Sequence, residues 1–343
     1  MSRTDGAGRV GVVGLGLVGG SLTRLLAARG VDVVATDSDP GTRADARAVG
    51  LHVADDLAAL CAAQPDVVVL AVPLRAVRAT AGDLAPLLPD GATLTDVGSV
   101  KGPVRAAVRA AGLGERYVGA HPMAGTEHSG FGASDAGLLD GAPWAVTVAG
   151  TNTGTGAAAA DEPARLAQVL RLVTGPLGGT AAVVTDDRHD EAAALVSHVP
   201  HVVATQLLNA VAGAPVRDLA LGLAAGSFRD GTRVALTDPA RTEAMVTENA
   251  AWVAPALRKV VRDLELVIGA LETNGSLHDV FHAADDVRER RSAARPGPAG
   301  PEEVLPAGAG WSAALVDDLV ARCTAGAVVV GVTDDAVRVR APR

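Results

Sequence analysis

Val10-Gly11-Val12-Val13-Gly14-Leu15-Gly16-Leu17-Val18-Gly19-Gly20-Ser21 joins a short apolar run to a G-x-G-x-x-G spacing, and residues 22–29 continue with helical apolar spacing. An unbroken apolar run of this length suits a parallel strand covered on both faces. Gly14 permits a tight turn, Gly16 lets a pyrophosphate approach the backbone, and Gly19 lets helix and strand pack closely. The free N–H groups of the helix start, at Leu17 and Val18, would hold the phosphates. In a chain with 40 glycines the spacing alone is weak evidence, and its context decides. A second strand, 31–36, ends at Asp37, 18 residues after Gly19. A carboxylate there accepts both ribose hydroxyls and repels a 2′-phosphate, so the expected cofactor is NAD rather than NADP.

Outward from this unit the alternation continues. Residues 65–73 read as a strand whose end, Val72-Pro73, lies beside the cofactor, and 74–88 read as a helix. Residues 92–97 form the next expected strand, leading into Gly98-Ser99-Val100-Lys101 and a helix over 103–111. Ligands of open parallel sheets sit beyond the carboxyl ends of strands, which places Asp96, Ser99 and Lys101 where chemistry occurs. Ser99 is equally suited to capping the following helix. A strand over 117–120 delivers His121 to the same edge, where Pro122 is expected to stop the ladder. Further strands are expected at 144–149 and 180–185, the latter closing the sheet, with a low-complexity segment at 150–160 and a helix over 163–173 between them.

From residue 186 the β-rich pattern disappears, and 187–209, 216–223, 241–252 and 254–271 read as helices with broad apolar faces suited to a homodimer interface. The expected fold is therefore α/β: a Rossmann-type parallel-sheet domain over 8–185, an all-α substrate and dimerisation domain over 186–292, and a linker with a short appendage over 293–343 whose role is unassigned. At 343 residues the chain has room for two cores. Its 48% hydrophobic and 20% charged residues exclude wholesale disorder. Seven aromatic side chains and a formal charge of −9 argue against nucleic acid as a partner. Cys61 and Cys323 stand far apart, without disulfide or thiolate-metal spacing. No run approaches the roughly 18 apolar residues of a membrane span, and the first apolar run is broken by glycines, so a cytoplasmic protein with no membrane partner is expected.

Two polar clusters stand in the helical half. His189, His198 and His201 fall within 13 residues, but their spacing is not that of a paired-histidine metal site, and no metal is expected. Ala225-Gly226-Ser227-Phe228-Arg229-Asp230-Gly231-Thr232-Arg233 puts an arginine after a glycine-bearing loop, where its fork needs a carboxylate from protein or ligand. Gly14 to Gly19 with Asp37, Asp96 to Lys101, His121-Pro122-Met123-Ala124-Gly125-Thr126-Glu127-His128-Ser129-Gly130, Ser197-His198-Val199-Pro200-His201 and Phe228 to Arg233 together resemble the prephenate/arogenate (cyclohexadienyl) dehydrogenases of tyrosine biosynthesis, over roughly residues 8–290.

The resemblance implies NAD-dependent oxidative decarboxylation of prephenate to 4-hydroxyphenylpyruvate. It assigns His121 as the acceptor of the ring hydroxyl's proton and Ser99 as the residue that orients that hydroxyl and the nicotinamide. It gives Arg233, with His201, a substrate carboxylate, and lets the backbone at Gly226 come close; Thr126, Glu127 and His198 are further substrate contacts. Where the family often has a bulky residue this chain has Gly231, and where it often has tryptophan this chain has Thr242. Arogenate, whose side chain carries an amine that Glu127 could meet, is the alternative substrate. Another NAD-dependent reductase with a helical dimer domain is the alternative class.

Overall fold

The computed structural model describes residues 8–126, 128–149, 162–293, 300–307 and 310–342. Four short strands, β1 (Val10–Val13), β2 (Val33–Thr36), β3 (Val67–Leu70) and β4 (Thr93–Asp96), are buried along their whole length. Valine-rich runs hidden on both faces belong in a parallel sheet, and the order β2-β1-β3-β4 is parallel throughout. The glycine loop leads into the helix Leu17–Ala28. That helix begins five residues before the expected start at Leu22, because the glycines at 19 and 20 are helical rather than part of the turn.

Five more strands and a sixth form a mixed sheet in the order β5-β6-β7-β9-β10-β8. They are β5 (Gly119–Pro122), β6 (Pro143–Val148), β7 (Thr180–Thr185), β8 (Glu302–Pro306), β9 (Val328–Val332) and β10 (Ala336–Arg340). A single parallel bridge, Leu94 to Tyr117, joins β4 to the chain entering β5, with Val118 N–H donating to Leu94 O at 3.0 Å. β5 therefore runs parallel to β4, and the carboxyl ends of β4 and β5 share one edge. Pro122 does not stop the ladder: it lies inside β5, opposite Trp144 of the antiparallel β6. A proline offers no N–H, but its carbonyl and the rest of the strand still pair.

The sheet does not close at Thr180–Thr185. β9 is antiparallel to β7, and β10 forms a hairpin with it before pairing with β8. The helix Ala313–Thr324 packs on β7, and Leu319, Cys323, Val329 and Val337 are buried in the same core as β1 and the helix Leu17–Ala28. The segment after residue 300 is thus part of the first domain's sheet. The expected separate appendage over 293–343 is therefore corrected, and its sequence could not show this, because a strand pairing such as Ala181 with Val329 leaves no local signal. The low-complexity residues 150–160 lie outside the described residues.

The helical region begins at Asp186–Ala193, capped by the Thr185 hydroxyl, which accepts from Arg188 N–H. Its first turn is bolted to the sheet domain by a buried ion pair between Arg105 and Asp186, and Asp186 also accepts from Thr147 at 2.6 Å. The expected single helix over 187–209 is interrupted. Residues Ala194–His198 form one wide π turn before the helix Val199–Ala212. Pro200 lacks the N–H that an α-helix would need there, and a π bulge absorbs the missing bond. The helices Arg217–Gly222, Gly226–Thr232, Pro239–Glu248 and Ala250–Glu272 follow. This region buries little of its own: Ala194, Val199 and Val253 are its buried apolar cluster, while Leu207, Leu219, Leu223, Leu264, Leu266 and Leu271 are exposed.

Candidate active site

The glycine turn is built to receive an anion. Gly14 has φ +100°, and a Cβ there would lie 2.5 Å from Ala71 O and 3.2 Å from Val72, which fixes the turn against the end of β3. A Cβ on Gly19 would stand 2.0 Å from Gly14 O, so only glycine lets the helix approach the turn this closely. At Gly16 the added carbon would meet nothing within 4 Å, leaving the backbone open to a ligand. Gly16 caps the helix without any side-chain bond, and its first turn holds no acidic residue, so the N–H groups around Leu17 and Val18 face outward with the positive end of the helix dipole. At the end of β2, Asp37 accepts from Leu15 N–H at 2.7 Å and Asp39 N–H at 2.9 Å, which holds its carboxylate beside the loop. These residues fit a dinucleotide, with Val72 half-buried and Pro73 exposed at the neighbouring strand end.

Asp96, at the end of β4, organises the next loop. It accepts from Gly98 N–H (2.8 Å), the Lys101 ammonium (2.5 Å), the Tyr117 hydroxyl (2.8 Å) and Ala120 N–H (3.2 Å), and Lys101 also donates to Ala120 O (2.7 Å). Lys101 is fully buried and Asp96 nearly so. An unpaired charge at this depth would be costly, and here each member is satisfied. The result is that half-buried Ser99 is held in a loop tied to the residue just before His121. Ser99 does not cap the helix Gly102–Ala110. That cap comes from the helical domain, where Asp190 accepts from Lys101 N–H (2.7 Å) and Gly102 N–H (2.9 Å).

Asp190 also accepts from His189 Nδ1 at 2.7 Å, and His189 Nε2 stands 3.0 Å from His121 Nδ1, the rings edge to face at 70°. Among the described residues His121 Nε2 has no protein partner. Burial first, then the neighbouring His189, Lys101 and His198, holds the His121 imidazole well below the usual histidine range, so it is neutral. His198 is fully buried, and burial pushes it down to about 4. Asn249 donates from one nitrogen to Asp190 O (2.8 Å) and to His198 Nδ1 (2.9 Å). His198 Nδ1 therefore accepts, and Nε2 carries the proton. Among the described residues that Nε2 is buried without a partner, a donor awaiting an acceptor.

His121, Ser99 and His198 are thus brought together by one network. His201 sits three residues beyond His198 and donates from Nδ1 to Ser197 O at 2.8 Å. Arg233 begins the 3-10 turn Arg233–Leu236, which packs against the helix carrying His201, and its side chain is exposed and makes no ion pair with any described residue. Gly226 is the first residue of its helix, half-buried, with open space where a Cβ would stand. The half-buried Thr126 hydroxyl accepts from His128 N–H at 3.3 Å. Glu127 lies outside the described residues. His189, Asp190 and Asn249 join the candidate site although none of them was expected there from the sequence. His189 entered the sequence reading only among three histidines weighed for a metal; its docking, with Asp190, against the helix Gly102–Ala110 shows its use.

A parallel sheet with this turn, an acidic residue after β2 and a neutral histidine beside the cofactor edge define a nicotinamide-dinucleotide dehydrogenase with a helical second domain. Residues 22–172 match the prephenate dehydrogenase nucleotide-binding domain, and 185–282 match the prephenate dehydrogenase dimerization domain. A cyclohexadienyl dehydrogenase of Zymomonas mobilis is 31% identical over 287 residues, covering 82% of this chain and 94% of that protein. A candidate prephenate dehydrogenase of Corynebacterium glutamicum superposes with a TM-score of 0.81 at 33% identity, covering 93% and 97% of the two chains. A prephenate dehydrogenase of Aquifex aeolicus, solved with hydroxyphenyl propionate and NAD+, gives 0.73 at 28% identity, covering 85% and 100%. The chain belongs to the prephenate dehydrogenase family, an NAD-dependent oxidoreductase with a nucleotide-binding and a dimerisation domain.

Proposed function

We propose that this chain oxidises and decarboxylates prephenate to 4-hydroxyphenylpyruvate, and that prephenate is preferred to arogenate. The observation that carries the reading is the pairing of a neutral His121 with a free Nε2 and a buried His198 with an unanswered N–H, at the cofactor edge. One accepts a proton; the other donates a hydrogen bond to an anion. Bound NAD would supply the hydride acceptor for the carbinol carbon. His121 Nε2 takes the hydroxyl proton as the carbonyl develops, then returns it to the ring oxygen when the carboxylate leaves as carbon dioxide and its bonding electrons complete the aromatic ring. No net proton is consumed. Ser99 orients the hydroxyl. His198, His201 and Arg233 supply the cationic and donor side of the pocket for the two carboxylates of prephenate, with Thr126 and Gly226 bordering it. Glu127 completes the proposed set; its carboxylate is the residue to test for any arogenate activity.

The cradle at Gly14, Gly16, Leu17, Val18 and Gly19, with Asp37, Val72 and Pro73, is assigned to the cofactor. The exposed leucines of the helical domain support a homodimer formed through it, since exposed apolar faces of this extent belong in an interface. Among the described residues no helix is long and apolar enough to cross a membrane. NADH formation with prephenate or arogenate, each with NAD and NADP, tests the reading. Prephenate with NAD is expected to give the highest kcat/KM, and His121→Asn is expected to lower kcat by about 10²–10⁴ while NAD still binds. No NADH from either substrate overturns it.

A further inference from the structure

Resting on the role proposed above for His121, the geometry assigns His189 and Asp190 as positioning residues that lock His121 in its Nδ1–H tautomer, so that the Nε2 lone pair is the one presented for chemistry. The chain of donors has one consistent solution. A carboxylate only accepts, so His189 Nδ1, 2.7 Å from Asp190 Oδ1, carries a hydrogen. A neutral His189 then has its lone pair on Nε2, and the atom 3.0 Å away, His121 Nδ1, must donate. His121 Nε2 is left unprotonated and, among the described residues, without a partner. The Asp190 carboxylate is shared with two backbone N–H groups of the helix Gly102–Ala110, and the His121 ring that faces His189 also stands near buried Lys101.

The same logic run through Asn249 gives His198 the opposite tautomer, with its proton on Nε2. Two neighbouring histidines are thereby made a base and a donor by different second partners. Asp190 has a further effect. Because it caps the helix that follows Ser99, one carboxylate sets both the hydrogen on the base and the position of the loop that orients the hydroxyl. This is the arrangement expected when a general base must be held in one tautomer and one orientation, as in the orienting carboxylate of a catalytic triad.

The test reads the tautomer directly. Long-range ¹H–¹⁵N spectra of the full-length protein, labelled at histidine and free of substrate, report which ring nitrogen is protonated, and comparison with His121→Asn identifies the His121 signals. The expected pattern is a protonated Nδ1 and a bare Nε2. In His189→Leu the His121 signals should move toward Nε2–H, and kcat should fall by about 10²–10⁴, with KM for substrate and Kd for NAD within about threefold of the parent. In His189→Gln a side-chain carbonyl stands near the place of Nε2 and can still accept, so kcat should recover to within about tenfold of the parent. A wild-type His121 protonated at Nε2, or a His189→Leu enzyme with undiminished kcat, overturns the assignment. If His189→Leu does not fold, the wild-type spectrum and His189→Gln decide. The spectra need no turnover, so an enzyme inactive on prephenate would fail the proposed reaction while still testing the tautomer.

Discussion

Lowering the pH should destabilise this protein through His198, by an amount the structure sets. The ring is fully buried, its Nδ1 is filled by Asn249, and its proton affinity is pushed down to about 4 from 6.5. In the unfolded chain the same ring binds a proton as the pH drops below its ordinary value. The unfolded state therefore gains protons first, and stability is lost as pH falls from 6.5 toward 4, while above about pH 7 the group contributes no slope. A difference of roughly 2.5 pKa units corresponds to about 3.4 kcal/mol when fully expressed, and to about 2 kcal/mol by pH 5. Urea unfolding at about pH 7.5 and about pH 5, at one fixed protein concentration, measures it for the parent and for His198→Gln. Glutamine keeps an oxygen for Asn249 but cannot titrate. The variant is expected to start less stable and to lose about 2 kcal/mol less than the parent between the two pH values. Equal losses would refute the reasoning, because other titrating groups are common to both proteins.

Other outcomes follow from the same contacts. Gly19→Ala places a carbon 2.0 Å from Gly14 O, so the turn must open; NAD affinity should fall by at least about tenfold, by isothermal titration, with the fold retained by circular dichroism. Arg233→Ala should raise KM for prephenate by about 10–100-fold with a smaller change in kcat and none in NAD binding, in steady-state assays, as expected for loss of a charged carboxylate contact. Leu319→Ala, in the helix packed on β7, should cost about 2–5 kcal/mol in urea unfolding, the range for truncating a fully buried leucine. A cost below about 0.5 kcal/mol would mean that the segment after residue 300 is not integral to the sheet domain.

The nucleotide half was legible because its signals are local. Gly14, Gly16 and Gly19 each answer a steric or conformational demand within a few residues, and Asp37 follows its strand directly. His121 was legible for a similar reason, since the strand order alone brings it beside Ser99. The second layer of the site was not. His189 reaches His121 from 68 positions away, Asn249 reaches Asp190 from 59, and neither distance leaves a trace in periodicity. The π turn at Ala194–His198 was hidden too, because a helix over 187–209 has the same apolar spacing to within one residue. Pro200 was the available clue: in a long helix it must be accommodated somewhere. Arg233 was singled out from its glycine-bearing context, and in the structure its side chain is exposed and makes no ion pair with any described residue.

The pairing of β9 with β7 bears on how the polypeptide is made. A ribosome delivers residues 8–185 long before residues 328–340, so the mixed sheet begun at β5 is finished only after the whole helical region has emerged. Until then β7 offers an open edge, with its neighbouring apolar face uncovered by the helix Ala313–Thr324. Nascent chains halted between these points should be the ones that bind chaperones and aggregate.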